Sequence, residues 1–219
     1  DGHPERALAY LEEARGVAAD LDDRRRATFL HGLAASYREL GDLEGAVAAG
    51  MRSLALFRAA AGAGEVAAME NELALAHLAL GQLGPARGYA AAAVERAAAL
   101  DDGRLLAHAL ETSAQVELAE GRPTAALDLA GRARDEARTS HNRKAEVSAG
   151  LTIGRALRAT GDERAASASL EATAQTARRY GRSRQLQDVL AELAEIVAGS
   201  GDHARAYELT REALQAGRP

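Results

Sequence analysis

The chain has 219 residues, a formal net charge of −5 and a composition led by alanine, leucine, arginine and glutamate. Aromatics make up 3% and cysteine and tryptophan are absent, which excludes disulfides and thiolate sites. The same mixture favours helix over sheet, because alanine and unbranched side chains lose least on entering a helix. Mild acidity argues against nucleic acid or an anionic membrane as a general partner, and no apolar run reaches the ~18 residues of a membrane span.

In chain order, the first predicted element is a helix over 4–19, PERALAYLEEARGVAAD, with Pro4 in its first turn. Five predicted helix pairs follow, over about 23–60, 64–100, 103–140, 143–180 and 183–217. That makes about eleven helices in one domain spanning 1–219. Breaks recur about every 20 residues and alternate between two kinds. One kind is glycine: Gly2, Gly41, Gly81, Gly121, Gly161 and Gly201. The other is a polar or glycine position at Asp22, Gly62, Asp102, Asn142 and near Gly181. Glycine takes the left-handed conformation that ends a helix without a Cβ clash, and Asp42, Asp162 and Asp202 are placed to cap the helix that follows.

The glycine column carries a register of about 40 residues. Five positions after it lie Ala7, Ala46, Ala86, Ala126, Ala166 and Ala206. Twelve after it lie Ala14, Ser53, Ala93, Ala133, Thr173 and Ala213. Seven before it are Ala34, Ala74, Ala114, Gly154 and Ala194, and eight before it are Leu33, Leu73, Ser113, Ile153 and Leu193. Small residues at matched positions let two helices approach closely, and the larger neighbours fill the seam.

This pattern resembles the tetratricopeptide repeat, best seen in LHGLAASYRELGDLEGAVAAGMRSL, with Leu30, Leu33, Ala34, Tyr37, Leu40, Gly41, Ala46 and Ser53 in place. HEAT and armadillo arrays share a period near 40 but lack the small-residue signature at the turn. The family period is about 34, so six residues per repeat are extra; they are expected to lengthen helix ends and the loop between hairpins. The resemblance implies an all-α, right-handed superhelical solenoid of stacked antiparallel helix pairs. It further implies a concave surface formed by the first helix of each pair. The positions that map onto that surface are His31, Arg38, Asn71, Leu75 and Leu78, followed by His108, Glu111, Gln115, Leu118, Arg155 and Arg158. Leucines beside hydrogen-bonding groups suit a protein or peptide segment as partner. Lysine is missing from these positions and asparagine occurs once, which argues against the family's clamp for a terminal carboxylate. Alanine-rich arrays of this kind resemble regions of larger bacterial regulators, beside DNA-binding or signalling domains. The chain begins at Asp1 and in mid-repeat, so a piece of a longer protein is expected, and the expected location is the cytoplasm.

A basic edge is the second candidate surface. RTSHNRK supplies Arg138, Arg143 and Lys144, and RRYGRSR, one period later, supplies Arg178, Arg179, Arg182 and Arg184. Residues one period apart are neighbours in a stacked array, so the two loops should meet, with an acidic partner as the occupant to test. Nucleic acid is disfavoured there, since Tyr180 is the only aromatic present to stack a base. Self-association as a homodimer, through the flank of helix 4–19, is the alternative function.

No catalytic, cofactor or metal site is expected. GSGDH (199–203) sets Ser200, Asp202 and His203 side by side, but a nucleophile elbow needs a preceding strand and this stretch is a repeat turn. GAGE (62–65) likewise lacks the strand of a phosphate loop. The six histidines form no H-x-x-x-H pair. Close helix crossing makes one test immediate. Ala114→Leu should overpack the crossing and cost about 1–3 kcal/mol in urea unfolding, where an unchanged midpoint would deny the crossing.

Overall fold

The computed structural model describes residues 21–60, 62–181 and 183–216. Among these residues there are ten α-helices and no strand. They are α1 (Asp23–Leu40), α2 (Leu43–Ala59), α3 (Ala63–Ala79), α4 (Leu83–Ala99) and α5 (Gly103–Ala119), then α6 (Pro123–Thr139), α7 (Arg143–Ala159), α8 (Glu163–Arg179), α9 (Ser183–Gly199) and α10 (His203–Ala216). The helix expected over 4–19 lies outside the described residues. No described helix is long and apolar enough to cross a membrane.

Each helix from α2 to α9 has 17 residues. At about 1.5 Å per residue that is roughly 25 Å of helix. Three residues join each of these helices to the next. The loop between hairpins is therefore no longer than the turn within one, against expectation. The extra residues of the 40-residue period lengthen the helices alone.

The two alternating breaks are also one turn, not two. At Gly81 the amide bonds Leu78 O at 3.0 Å and the Gln82 amide bonds His77 O at 2.9 Å. The same pair of bonds recurs at Gly121, Gly161 and Gly201, and also at Asp101 and His141. This is the double bond of a Schellman ending, which satisfies two orphan carbonyls with one residue in the left-handed region. Gly41, Gly81, Gly121, Gly161, Gly181 and Gly201 hold that conformation, and Asp101 (φ 53°) and His141 (φ 55°) adopt it without being glycine. Asp and His are among the residue types that tolerate it best. The next helix is then capped by a side chain: Asp42 Oδ1 accepts from the Gly45 amide, Asp162 from Ala165 and Asp202 from Arg205, and in the other column Asp22 accepts from Arg25 and Asn142 from Ala145.

The chain forms two compact units, Asp1–Leu105 and Leu106–Pro219, with the boundary in the first turn of α5. In the first unit α1 packs on α2, α2 on α3 and α3 on α4, and α1 also touches α3. Its core joins Leu30, Leu33, Tyr37, Leu54, Phe57, Met69 and Leu73 to the repeat alanines. In the second unit each helix from α6 to α9 packs on its successor, and α7 also touches α9. Its main core runs from Val147 and Leu170 through Leu186, Val189, Leu190 and Leu193 to Ala213.

The small-residue columns are buried throughout. Ala46, Ala86, Ala126, Ala166 and Ala206 are all buried, as are Ala34, Ala74, Ala114 and Ala194. Glycine also stands where a neighbouring side chain fills the place of a Cβ. A Cβ on Gly154 would sit 2.5 Å from Leu170 Cδ2, one on Gly150 would collide with Thr173 Oγ1, and one on Gly50 would sit 2.8 Å from Leu73 Cδ2. At Gly88 and Gly131 a Cβ would meet nothing, and the structure gives no reason for glycine there. The two cases predict opposite signs. Gly154→Ala should cost about 1–3 kcal/mol, because Leu170 is fully buried and cannot give way. Gly131→Ala should stabilise by up to about 1 kcal/mol through helix propensity alone. Urea titration of both variants checks this, and equal signs would contradict it.

Candidate functional site

On the first unit, the residues expected at the first-helix face come from α1 and α3. His31 is half-buried with its ring edge-on to Phe57, at 6.4 Å between centroids. Burial lowers its pKa, and the Glu72 carboxylate opposes that. Arg38 Nε donates to Glu72 Oε1. Asn71, Leu75 and Leu78 follow on α3 at spacings of four and three, so they share one face. Both leucines are half-buried. The Asn71 Oδ1 atom is buried and accepts no hydrogen bond.

On the second unit, the corresponding residues come from α5 and α7. Asn142 commits Oδ1 to the Ala145 amide at 3.2 Å, which turns its Nδ2 onto His108 Nε2 at 2.9 Å. Glu111 is buried rather than presented to solvent. Burial pushes its carboxyl up, and hydrogen bonds from Gln115 Nε2 and Thr152 Oγ1 with the charges of Arg155 and Lys144 only partly offset this. Leu118 is half-buried. Arg155 donates to Glu192 at 2.8 Å, and Arg158 donates to Glu192 and Glu195, both at 2.8 Å. Burial alone would raise the Glu192 carboxyl, but the two guanidiniums hold it below its ordinary value.

The basic loops do meet. Arg143 lies over the Tyr180 ring, its Cζ 4.7 Å from the centroid, and Arg179 lies 5.8 Å from the same ring. Much of the charge is answered locally. Arg138 and Arg143 both bind Glu146, at 3.0 and 3.2 Å, and Arg178 forms a two-pronged pair with Glu212 at 2.8 and 2.9 Å. Lys144 and Arg184 are exposed, and Arg182 lies outside the described residues.

The partners of these cations escape sequence reasoning, although a spacing could have exposed them. Arg38 with Glu72, Arg158 with Glu192, Glu171 with Arg205 and Arg178 with Glu212 are all 34 residues apart. Glu70 was missed as well. It is fully buried and bound by Arg58 at 3.1 Å and by Arg96 at 3.0 and 3.3 Å. Its column is otherwise Leu30, Leu110, Gly150 and Leu190, so a lone acid there is a legible anomaly. In GSGDH, Asp202 serves as the α10 cap and Ser200 Oγ donates to Val197 O, as a helix turn requires. Among the described residues no group of three His, Asp or Glu side chains could hold a metal ion.

An all-α array of hairpins with buried alanine columns and a glycine joint every 40 residues has a TPR-like repeat fold. Solved structures carry the same fold. BtubC from P. vanneervenii aligns at TM-score 0.72 and 16% identity over 99% of this chain and 91% of that one. A Rap protein in complex with competence and sporulation factor aligns at TM-score 0.83 and 15% identity, over 94% of this chain and 57% of that one. TPR-like repeats of a Podosopora anserina protein designated a kinesin light chain align at TM-score 0.67 and 20% identity, over 90% and 96%. No protein-family model and no curated protein matches the sequence.

The buried acid makes a pH prediction. A carboxyl whose folded pKa is raised binds a proton on folding, so its contribution falls as pH rises from the unfolded value, about 4.3, through the folded one. Glu111→Gln removes that loss. The stability of the variant relative to the wild type should therefore climb with pH across that window in urea titrations, and a pH-independent difference would refute the upward shift of the buried acid.

Proposed function

We propose that the chain is a non-catalytic interaction scaffold that binds a protein segment or peptide on the first-helix faces of its units. The observation that carries this reading is on α3: the buried, unbonded Asn71 Oδ1 beside the half-buried Leu75 and Leu78. A buried acceptor without a donor costs about 1–3 kcal/mol, and an incoming backbone N–H would remove that cost while the leucines cover apolar side chains. The fold supports the reading, since a Rap protein of the same fold has been solved holding competence and sporulation factor. The scaffold would serve as the sensor or interaction region of a larger bacterial regulatory protein, in the cytoplasm.

Self-association is the second reading. It is favoured by Tyr207 and Leu214, which are 69% and 62% exposed and lie seven residues apart on one face of α10. Sedimentation over a concentration series separates the two, a strict monomer ruling out the homodimer. For the scaffold, fluorescence anisotropy with labelled peptides from candidate partners should show loss of roughly tenfold or more in affinity for Leu75→Glu or Arg155→Glu, depending on the unit engaged. Binding left intact by both substitutions would refute the proposed faces.

A further inference from the structure

The second unit contains a cleft of about 440 Å³ bounded by α6, α7 and α8. Its size falls in the range of small-molecule sites, ~300–1,000 Å³. Ile153 and Leu157 of α7, with Ala168 and Ala172 of α8, give it apolar walls. Arg134 of α6 lines it, and the Arg134 Nε is buried and makes no hydrogen bond. No carboxylate among the described residues pairs with this guanidinium.

Internal comparison shows that the cleft departs from the repeat. In the column of Arg134 four of the other five repeats carry an apolar residue, Leu54, Val94, Ala174 and Leu214, and the first carries Arg15. In the column of Ser169, which lines the same cleft from α8, they carry Tyr10, Ala49, Tyr89, Leu129 and Leu209. A small hydroxyl thus stands where four of the five other repeats use a bulky side chain, and a guanidinium stands where four of the five are hydrocarbon. The contrast with Glu70 is direct. That acid also interrupts an apolar column, yet two arginines answer it. Nothing comparable answers Arg134, which is half-buried and whose buried Nε–H donates to no acceptor, a polar group left unsatisfied at a cost.

The remaining polar groups of the cleft narrow the ligand. Arg138 is bound to Glu146, so these two lining residues cancel. The Thr173 and Thr176 hydroxyls donate to carbonyls of their own helix, at 2.8 and 3.0 Å. The donors left are the Arg134 N–H groups and the Ser169 hydroxyl, which suit one negative charge. A dianionic phosphate would face the Glu146 carboxylate with a single unanswered cation.

We propose that this cleft binds a small organic acid, its carboxylate on Arg134 and Ser169 and its short aliphatic body against Ile153, Leu157, Ala168 and Ala172. The site is separate from the first-helix faces and does not depend on their role. Calorimetric titration with straight-chain acids from acetate to octanoate tests it, with hexanol and inorganic phosphate as controls. Arg134→Leu and Ser169→Leu restore the residue type of most other repeats, so both are expected to fold, as circular dichroism would verify. At least one of the longer acids should bind saturably. Arg134→Leu should weaken it roughly tenfold or more, as loss of a charge-assisted pair requires, and Ser169→Leu should abolish it by filling the cleft. No saturable binding by any acid, equal binding by the folded Arg134→Leu variant, or preference for phosphate or hexanol would each overturn the proposal.

Discussion

Two helix backbones can lie close together only where neither carries bulk, and that constraint organises this chain. Alanine or glycine occupies the crossing points in each repeat, and where even a methyl group would collide, as at Gly150 and Gly154, it is gone. The consequence is a core poor in aromatics, where close backbone approach does the work that large side chains do in other folds. Dispersion between many close atom pairs substitutes for the burial of a few large groups. It also explains why the six residues beyond the usual repeat length go into helices and not loops. A longer helix adds crossing surface, whereas a longer loop adds only chain to order.

The turns impose the second regularity. One three-residue ending, closed by the same two amide bonds, follows successive helices, so the true step of the chain is 20 residues. Among the described residues glycine holds the left-handed position at six of these joints. Asp101 and His141 carry the others at a conformational cost that their side-chain types keep small. Between neighbouring hairpins the charges then find each other at a separation of 34, six residues short of the period. Six residues are about 9 Å of helix, the offset expected where like helices of adjacent repeats cross at an angle instead of lying in register. Two of these four pairs, Arg178 with Glu212 and Arg205 with Glu171, are exposed and individually weak. Their value lies in selecting which hairpin faces stack, because a shifted register would set like charges together.

The fold was legible because periodicity survives in residue size. The columns that contain Ala46 and Gly154 place every described hairpin, and the burial of these positions follows from their smallness. The identity of the two turns was not legible, since Asp101 and His141 do not advertise a left-handed conformation and Asp102 and Asn142, the neighbouring caps, draw the eye instead. At the candidate faces, sequence could assign residues to a helix side but not weigh how far each is covered. Glu111 shows the difference: the column predicts a presented acid, while Thr152 and Gln115 enclose it. The arginine partners were hidden for another reason. A contact at 34 is visible only once the tilt between hairpins is known, and no single helix records that tilt.

A repeat array tolerates individuality at single positions, because each repeat contacts only its neighbours and the column supplies the default residue. Departures from the default are therefore informative in proportion to their cost. Surface columns drift freely and say little. Glu70 and Arg134 are different, since each sets a charge in a column where most other repeats carry hydrocarbon. Glu70 is matched within the unit by Arg58 and Arg96, so its charge is accounted for as a device that fixes how α2, α3 and α4 assemble. Arg134 has no such match, and the bulky side chain that would have closed the space beside it is replaced by Ser169. One substitution opens the cleft and the other charges it. Either change alone would weaken the stack without purpose, and it is their coincidence across a single gap that distinguishes a ligand-shaped departure from ordinary drift.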